Sequence, residues 1–360
     1  MRSTGAWAAT PGLDRVSSQR VGGLVALPQL IRQLGGGPES VLLDAGLDHS
    51  ALDHPDGRIP YSALARLLDR SARSTGCDHI GLLAGRLIHL SDLGLVGELV
   101  RNSPTVGQGL EALTVYQHLN SEGGLAFLLK RGDYVDLGYA PYRVGGAAVA
   151  QVCDAALATA MNILLELCGP AWKPYEVFLP HAKPHDVSQH RAFFKVVPRF
   201  DAECSVLRFT ARDLERKVPD ADPEAHHRCE QLARSVGAPE FMQQVYRGLR
   251  RLMLENRHSG DDLARMLFMH RRTLNRRLKA EGTTFQRVLD EVRFDIARDL
   301  LSNSNAHLDD IAATLGYAAV TPFMRTFRRW SGMTPGQWRR AVRAIKTRPA
   351  ASNRAPNCEA

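Results

Sequence analysis

The stretch HRRTLNRRLKAEG, residues 270–282, sets Arg271, Arg272, Arg276, Arg277 and Lys279 within ten residues, beside two leucines four apart. On a helix each residue advances about 100° around the axis. Leu274 and Leu278 then share one face, the i, i+4 spacing of a core stripe. Arg272, Asn275, Arg276 and Lys279 gather on a separate face centred about 130° away, and Arg271 and Arg277 flank the stripe. Guanidinium and amide groups in such a row suit the reading of base edges: arginine pairs bidentately with guanine, and asparagine with adenine. A solvated basic face on a surface helix would have the same composition. The neighbouring elements must decide.

Those elements repeat. LARMLFMHRRTLNRRL (263–278) and IAATLGYAAVTPFMRTF (311–327) follow one plan. Each opens with an apolar residue and alanine (Leu263-Ala264, Ile311-Ala312), passes a short turn, and enters a second helix with basic residues and two apolar positions four apart, Phe323 and Phe327 in the second copy. A helix-turn-helix needs a small residue where its helices cross closely, which Ala264 and Ala312 supply. Gly316 supplies the second turn, where a positive φ is cheap only for glycine, and Ser259 followed by Asp262 predicts a cap for the first helix. Between the copies, TFQRVLDEVRFDIARDLLSN carries apolar residues at 285, 288, 289, 292, 296, 300 and 301, a helical period. About 18 residues at 1.5 Å each make a rod of roughly 27 Å, and successive major grooves on one face of DNA lie about 34 Å apart. Such a spacer holds two reading heads in neighbouring grooves.

Charge agrees. The 360-residue chain carries a formal +8, but residues 240–348 hold 21 Lys+Arg against 11 Asp+Glu, and the remainder is slightly acidic. A basic third joined to a near-neutral body is a footprint for a polyanion, DNA ahead of a membrane surface. The six cysteines are scattered without a Cys-x-x-Cys pair, which suits reduced thiols rather than a disulfide framework or a zinc site. No secretory signal is expected from the N-terminal residues. The longest apolar segment, 147–168, is interrupted by Gln151, Asp154, Asn162 and Glu166, so it reads as a core helix rather than a membrane span. His181, His185 and His190 are expected on a surface loop, because Pro184 breaks any helical pairing for a metal.

The fold class expected is an α+β N-terminal domain followed by an all-α domain with two helix-turn-helix motifs joined by a long helix. Residues 1–21 are expected to be a flexible tail, 22–212 one α+β unit, 213–238 a linker region with a helical pattern near 223–236, 239–346 the DNA-binding domain opening on a helical pattern near 239–257, and 347–360 a second tail. Within the first unit, helical patterns run near 24–35, 60–75, 78–88, 105–119 and 147–168. A hairpin spans 124–140 with its turn at Arg131-Gly132-Asp133, and further strands are expected at 175–180, 195–200 and 205–210. Tyr139, Tyr142 and Arg143, near the hairpin's end, are candidates to line a pocket.

The C-terminal stretches quoted above, together with the Ile-Ala, Gly-Tyr, Phe-x-Arg-x-Phe and Gly-x-x-Pro pattern of 311–343, resemble the DNA-binding domain of AraC/XylS-type bacterial transcription regulators. A second resemblance, over 22–212, is to the long arabinose-binding-type sensor domain of one branch of that family. The resemblance implies base-reading roles for Arg272, Asn275 and Arg276 in the first recognition helix, and for Val320, Thr321, Met324 and Arg325 in the second. Arg271, Thr273, Arg277, Lys279, Arg328 and Arg329 are better placed for phosphates, which set affinity and register rather than sequence. Phe323, Phe327, Trp330 and Trp338 are expected in the core, with Met324 as a competing candidate for it. Two positions depart from the family's pattern. His270 stands where a capping serine is usual, and Phe268 where the turn usually has glycine. The resemblance further implies promoter DNA, an unidentified small-molecule effector and a second copy of the chain as partners, with RNA polymerase a further candidate. The location implied is cytoplasmic, on the nucleoid when DNA is bound. No cofactor, metal or effector residue is assigned. Catalysis is not expected, since no nucleotide-binding glycine loop, nucleophile elbow or zinc-protease motif is present. Nor do the dispersed thiols suit the metal-bound reactive cysteine of a DNA-repair relative. The rival reading is a non-specific architectural DNA-binding protein, which would not need a sensor-sized neutral domain.

Overall fold

The computed structural model describes residues 17–141, 148–236, 241–255 and 257–346. Tyr142 and Arg143 lie outside the described residues, as do 1–16 and 347–360.

The N-terminal half begins with β1 (Ser18–Arg20), α1 (Leu27–Gln33), α2 (Pro38–Asp44), β2 (Arg58–Pro60), α3 (Tyr61–Thr75), α4 (Ile80–Arg86), α5 (Leu95–Arg101) and α6 (Val106–Tyr116). It continues with β3 (Gly124–Arg131), β4 (Tyr134–Pro141), α7 (Ala148–Cys168), β5 (Glu176–Phe178), α8 (Ser188–Phe194), β6 (Ser205–Thr210) and α9 (Pro223–Ser235). β3, β4, β6 and β5 form an antiparallel sheet in that order, and the β3–β4 turn falls at Gly132, as expected. Alternation divides the sheet's side chains. Val135, Leu137, Val177, Leu207 and Phe209 join a core with α7, whereas Leu125, Phe127, Leu129 and Val206 form a separate cluster on the other face.

α7 is long and apolar enough to cross a membrane by length and composition, yet 67% of its apolar window is buried inside the molecule. Each of its four polar interruptions has a tertiary partner. Gln151 accepts from the Gly81 N–H and donates to the Asp78 carbonyl, both at 2.7 Å. Asn162 donates to the carbonyls of Gly85, Arg86 and Ile88, and Glu166 accepts from the Leu90 N–H at 3.2 Å. Gly81 and Gly85 let α4 lie against α7, since a Cβ at either would stand 2.1–2.2 Å from an α7 carbonyl oxygen.

The C-terminal half is all helical: α10 (Phe241–Leu254), α11 (Gly260–Met266), α12 (Arg271–Ala280), α13 (Phe285–Asn303), α14 (Leu308–Thr314), α15 (Val320–Ser331) and α16 (Pro335–Lys346). One core joins them, running from Leu249 and Leu263 through Leu274, Leu278, Val292 and Ile311 to Phe323, Phe327 and Trp330.

The structure corrects three expectations. Ser18–Arg20, placed in a tail, pair with Arg58–Pro60 as an antiparallel strand. Residues 195–200 are not a strand: Lys195 closes α8 at φ 60°, and one parallel bridge, Phe178 to Arg199, is formed there. His181 and His190 are not surface histidines. Both are buried on Asp154 of α7, with His181 Nε2 3.0 Å from Oδ1 and His190 Nε2 2.9 Å from Oδ2; of the three, only His185 is exposed. His190 stands on α8, a helix not anticipated. The linker region carries α9 over its expected helical pattern; the N-cap Asp222 accepts from the Glu224 N–H, and the helix packs on α5.

Burial alone would raise the Asp154 carboxyl, but the two imidazoles outweigh it and hold it at about 2. Burial would lower the His181 imidazole; the charge and hydrogen bond of Asp154 prevail and raise it. The carboxylate's stabilising contribution is therefore present above about pH 4 and fades as pH falls toward 2, whereas that of His181 is full below about pH 6.5 and fades as pH rises through its raised value. Asp154→Asn is expected to lower the unfolding free energy by about 3 kcal/mol near pH 6, as breaking a buried pair does. It should also flatten the fall in stability that the parent chain shows as pH rises above about 6.5. Urea unfolding across a series of pH values measures the two effects.

Candidate nucleic-acid interface

α11–α12 and α14–α15 are the two helix-turn-helix units, and their turns share one backbone pattern. In the first, the Phe268 N–H donates to the Arg265 carbonyl and the Met269 N–H to that of Ala264; in the second, Gly316 donates to Ala313 and Tyr317 to Ala312. Ala264 and Ala312, the expected crossing residues, are buried at 3% and 1% exposure. Ser259 caps α11 as expected, accepting from the Asp262 N–H at 3.1 Å. Each unit opens with two acidic residues in its first turn, Asp261-Asp262 and Asp309-Asp310, which favour the positive end of the helix dipole.

The turn residue differs between the copies, with a physical consequence. Gly316 sits at φ 74°, and a Cβ there would stand 2.8 Å from the His258 ring. Phe268 occupies the equivalent place at φ 50°, a region costly for a bulky residue, with 98% of its surface exposed. His270 is the N-cap of α12 and makes no side-chain cap hydrogen bond. Both departures from the family's pattern are thus visible in the backbone.

α12 spans Arg271–Ala280 with Leu274 and Leu278 buried, at 0% and 1% exposure. The buried stripe leaves Arg272, Asn275 and Arg276 exposed together with Arg277 and Lys279, and Thr273 half-buried. Among the described residues no carboxylate lies within 4.0 Å of Arg272, Arg276, Arg277, Lys279, Arg325 or Arg328. A basic row without such carboxylate partners is available to a polyanion. Arg277 also stands over the Phe241 ring, 5.5 Å from its centroid.

Arg271 is placed differently from its expected phosphate-facing role. Its guanidinium stacks on Phe285 at 4.3 Å and covers Gly260, where an added Cβ would collide with it. The side chain is half-buried, clamping α12 to the start of α13. This packing was missed because it pairs residues fourteen apart across a turn, outside any helical period.

In α15, Thr321, Met324, Arg325, Arg328 and Arg329 are exposed, and Val320 is half-buried against the core. Pro322 lies in the first turn, where its missing N–H is tolerated. Phe323, Phe327 and Trp330 are buried as expected, and Trp338 packs at their edge, its indole N–H donating to Ser302 at 3.2 Å. Arg329 stands 3.6 Å from Asp290, an ion pair exposed enough to be worth little. Two supporting residues had no sequence signal. Arg293 of α13 donates to the Leu315 carbonyl at 2.9 Å and stacks on Tyr317, pinning the second turn. Glu291 is buried and accepts from the Tyr246 hydroxyl, tying α13 to α10.

Comparisons with known proteins place this geometry. Residues 35–218 match the arabinose-binding domain of AraC transcription regulators, N-terminal part, and residues 263–341 match a helix-turn-helix domain. The chain is 29% identical over 326 residues to the ornithine utilization regulator of Pseudomonas aeruginosa, covering 88% of this chain and 94% of the relative. It is 28% identical over 320 residues to the HTH-type transcriptional regulator VirS of Mycobacterium tuberculosis, covering 86% and 93%. Among solved structures, the transcriptional regulator CdpR from Pseudomonas aeruginosa is 24% identical, covering 73% of this chain and 87% of that one, with a TM-score of 0.39.

The strained first turn yields a stability test. Phe268→Gly removes a bulky side chain from the left-handed region and sacrifices almost no buried surface. It is expected to raise the unfolding free energy by about 1 kcal/mol, read as a higher denaturation midpoint with an unchanged slope.

Proposed function

The chain belongs to the AraC family of transcription regulators, an arabinose-binding-type domain followed by a helix-turn-helix domain, and from that premise we propose that it controls promoters sequence-specifically in response to a small molecule. The observation that carries this reading is the division of α12. Two leucines are spent on the core, and Arg272, Asn275 and Arg276 are left exposed in one row.

In the proposed complex α12 enters one major groove and α15 the next. α13, 19 residues and so about 28 Å long, sets their separation. Arg272 and Arg276 pair with guanines and Asn275 with adenine, each good pair discriminating by about 1–3 kcal/mol. Arg325 reads a further base, while Val320, Met324 and the Thr321 methyl pack against thymine methyl groups. Thr273, Arg277, Lys279, Arg328 and Arg329 contact phosphates; Arg271 holds the recognition helix in place. The N-terminal domain takes the effector and supports pairing of two copies on half-sites, and RNA polymerase is the further partner. The protein works in the cytoplasm, on the nucleoid when bound to DNA.

Footprinting on promoters that flank the gene should give a discrete protected site; diffuse coverage would favour an architectural role instead. On a panel of point-substituted operators, Arg276→Ala is expected to lose affinity chiefly at one or two base pairs, by about 1–3 kcal/mol. Arg277→Ala should weaken binding almost uniformly and reduce the salt slope by about 1. Equal loss across the whole panel for Arg276→Ala would overturn the base-reading assignment.

A further inference from the structure

The halves meet along a seam with hydrogen bonds at several points. Arg250 of α10 donates to the Pro141 carbonyl at 2.6 Å, and Arg247 to that of Thr114 at 2.9 Å. Arg131 of β3 donates to the Leu254 carbonyl at 3.2 Å. The Asn303 carbonyl, at the end of α13, accepts from the Ala182 N–H at 2.7 Å, and Thr314 of α14 donates to Glu203 at 3.0 Å. Between these points the surfaces do not close. They leave a cavity of about 260 Å³, walled by Arg131, Tyr139, Val149 and Cys153 of the N-terminal half and by Arg250, Met253, Ile296, Asp299 and Ala313 of the C-terminal half.

Three features suit this cavity to a ligand. Its size exceeds the roughly 150 Å³ that suffices for a benzene-sized guest in a protein interior. Its polar groups are of both signs: the Arg250 guanidinium, only 5% exposed, and the Asp299 carboxyl. Asp299 is held, among the described residues, only by a long ion pair to Arg298. Among the described residues its buried Oδ1 has no hydrogen bond, with Arg298 Nη2 3.7 Å away. Burial outweighs the neighbouring arginines and pushes this carboxyl up to about 7. A buried acceptor without a hydrogen bond is costly, and a charge-assisted donor recovers the cost.

We propose that this cavity is a binding site for a small zwitterion of α-amino-acid type, its ammonium group hydrogen-bonded to Asp299, its carboxylate facing Arg250 and Arg131, and its apolar body against Val149, Met253 and Ile296. A monoamine brings no anionic group to the guanidinium side, and a simple carboxylate brings no donor to Asp299. A second cavity, of about 160 Å³ and mostly apolar walls, lies wholly within the N-terminal half. A guest there has no contact with the DNA-binding half. A guest in the seam touches both, so its binding energy differs between docked and separated halves, the requirement for any ligand that shifts such an equilibrium.

This inference deepens the proposed effector-responsive function and rests on it. The test uses the full chain, in thermal-shift and calorimetric titrations with the proteinogenic α-amino acids, their decarboxylated amines and their deaminated acids. At least one amino acid is expected to raise the midpoint, with its amine and acid counterparts ineffective at the same concentration. Asp299→Asn should weaken that binding at least about tenfold. Ala313→Phe, a change at an exposed wall position on α14, should abolish it by filling space, which keeps the test independent of any folding effect at Asp299. Failure of every amino acid to bind the parent chain, or undiminished binding by both variants, would overturn the assignment. Promoter binding by the ligand-free chain, measured in parallel by fluorescence anisotropy, separates the cases: if it persists without amino-acid binding, only the ligand assignment falls; if it is absent, the DNA-reading function falls.

Discussion

The packing of α13 is the constraint on which the rest depends. Its first residue, Phe285, lies under Arg271 at the start of the first recognition helix. Midway, Arg293 holds the second turn, and Phe294 meets Phe327, Trp330 and Trp338. At its end, the Asn303 carbonyl accepts from Ala182 of the N-terminal half. A single helix thus fixes the separation of the two helix-turn-helix units and joins them to the N-terminal half. Rotation of one head against the other would have to break the aromatic cluster around Phe294, where close packing tolerates little movement.

Much of this was legible in sequence because it rests on local periodicity. Leu274 and Leu278 mark the buried face of α12 by spacing alone, and the exposed row of Arg272, Asn275 and Arg276 follows from helix geometry. The two turns were legible through an internal echo, and their hydrogen bonds coincide residue for residue. Phe268 was legible as a departure, since a turn that takes glycine in one copy strains a phenylalanine in the other.

What escaped the sequence depends on pairings distant in the chain or on elements too short to show a period. α2, α5 and α8 have seven residues each, about two turns, too few to separate helical from other apolar spacing. With α8 unseen, His190 had no reason to leave the surface. Its partner Asp154, 36 positions earlier, looked like an interruption in an apolar run. The packing of Arg271 escaped for the complementary reason: its type and exposure-prone context suggested a phosphate contact, and nothing local showed that Phe285 and Gly260 offer a flat apolar bed for its guanidinium.

The seam between the halves narrows how one can influence the other. Its hydrogen bonds fall on α10, on the end of α13 and on α14, and the basic rows of α12 and α15 remain exposed beside it. The N-terminal half therefore does not cover the exposed basic side chains of α12 and α15 within one chain. Its contacts fall on the scaffold that carries them. The seam contacts carry only about 1 kcal/mol each in net terms, and part of the interface is cavity rather than packed side chain. A ligand seated in the seam at a hundred times its dissociation constant adds about 2.7 kcal/mol to the docked arrangement, comparable with two or three of these contacts. A tightly packed apolar interface would have been more stable and beyond the reach of such a ligand. The unfilled, charge-lined seam is the form that leaves the arrangement adjustable.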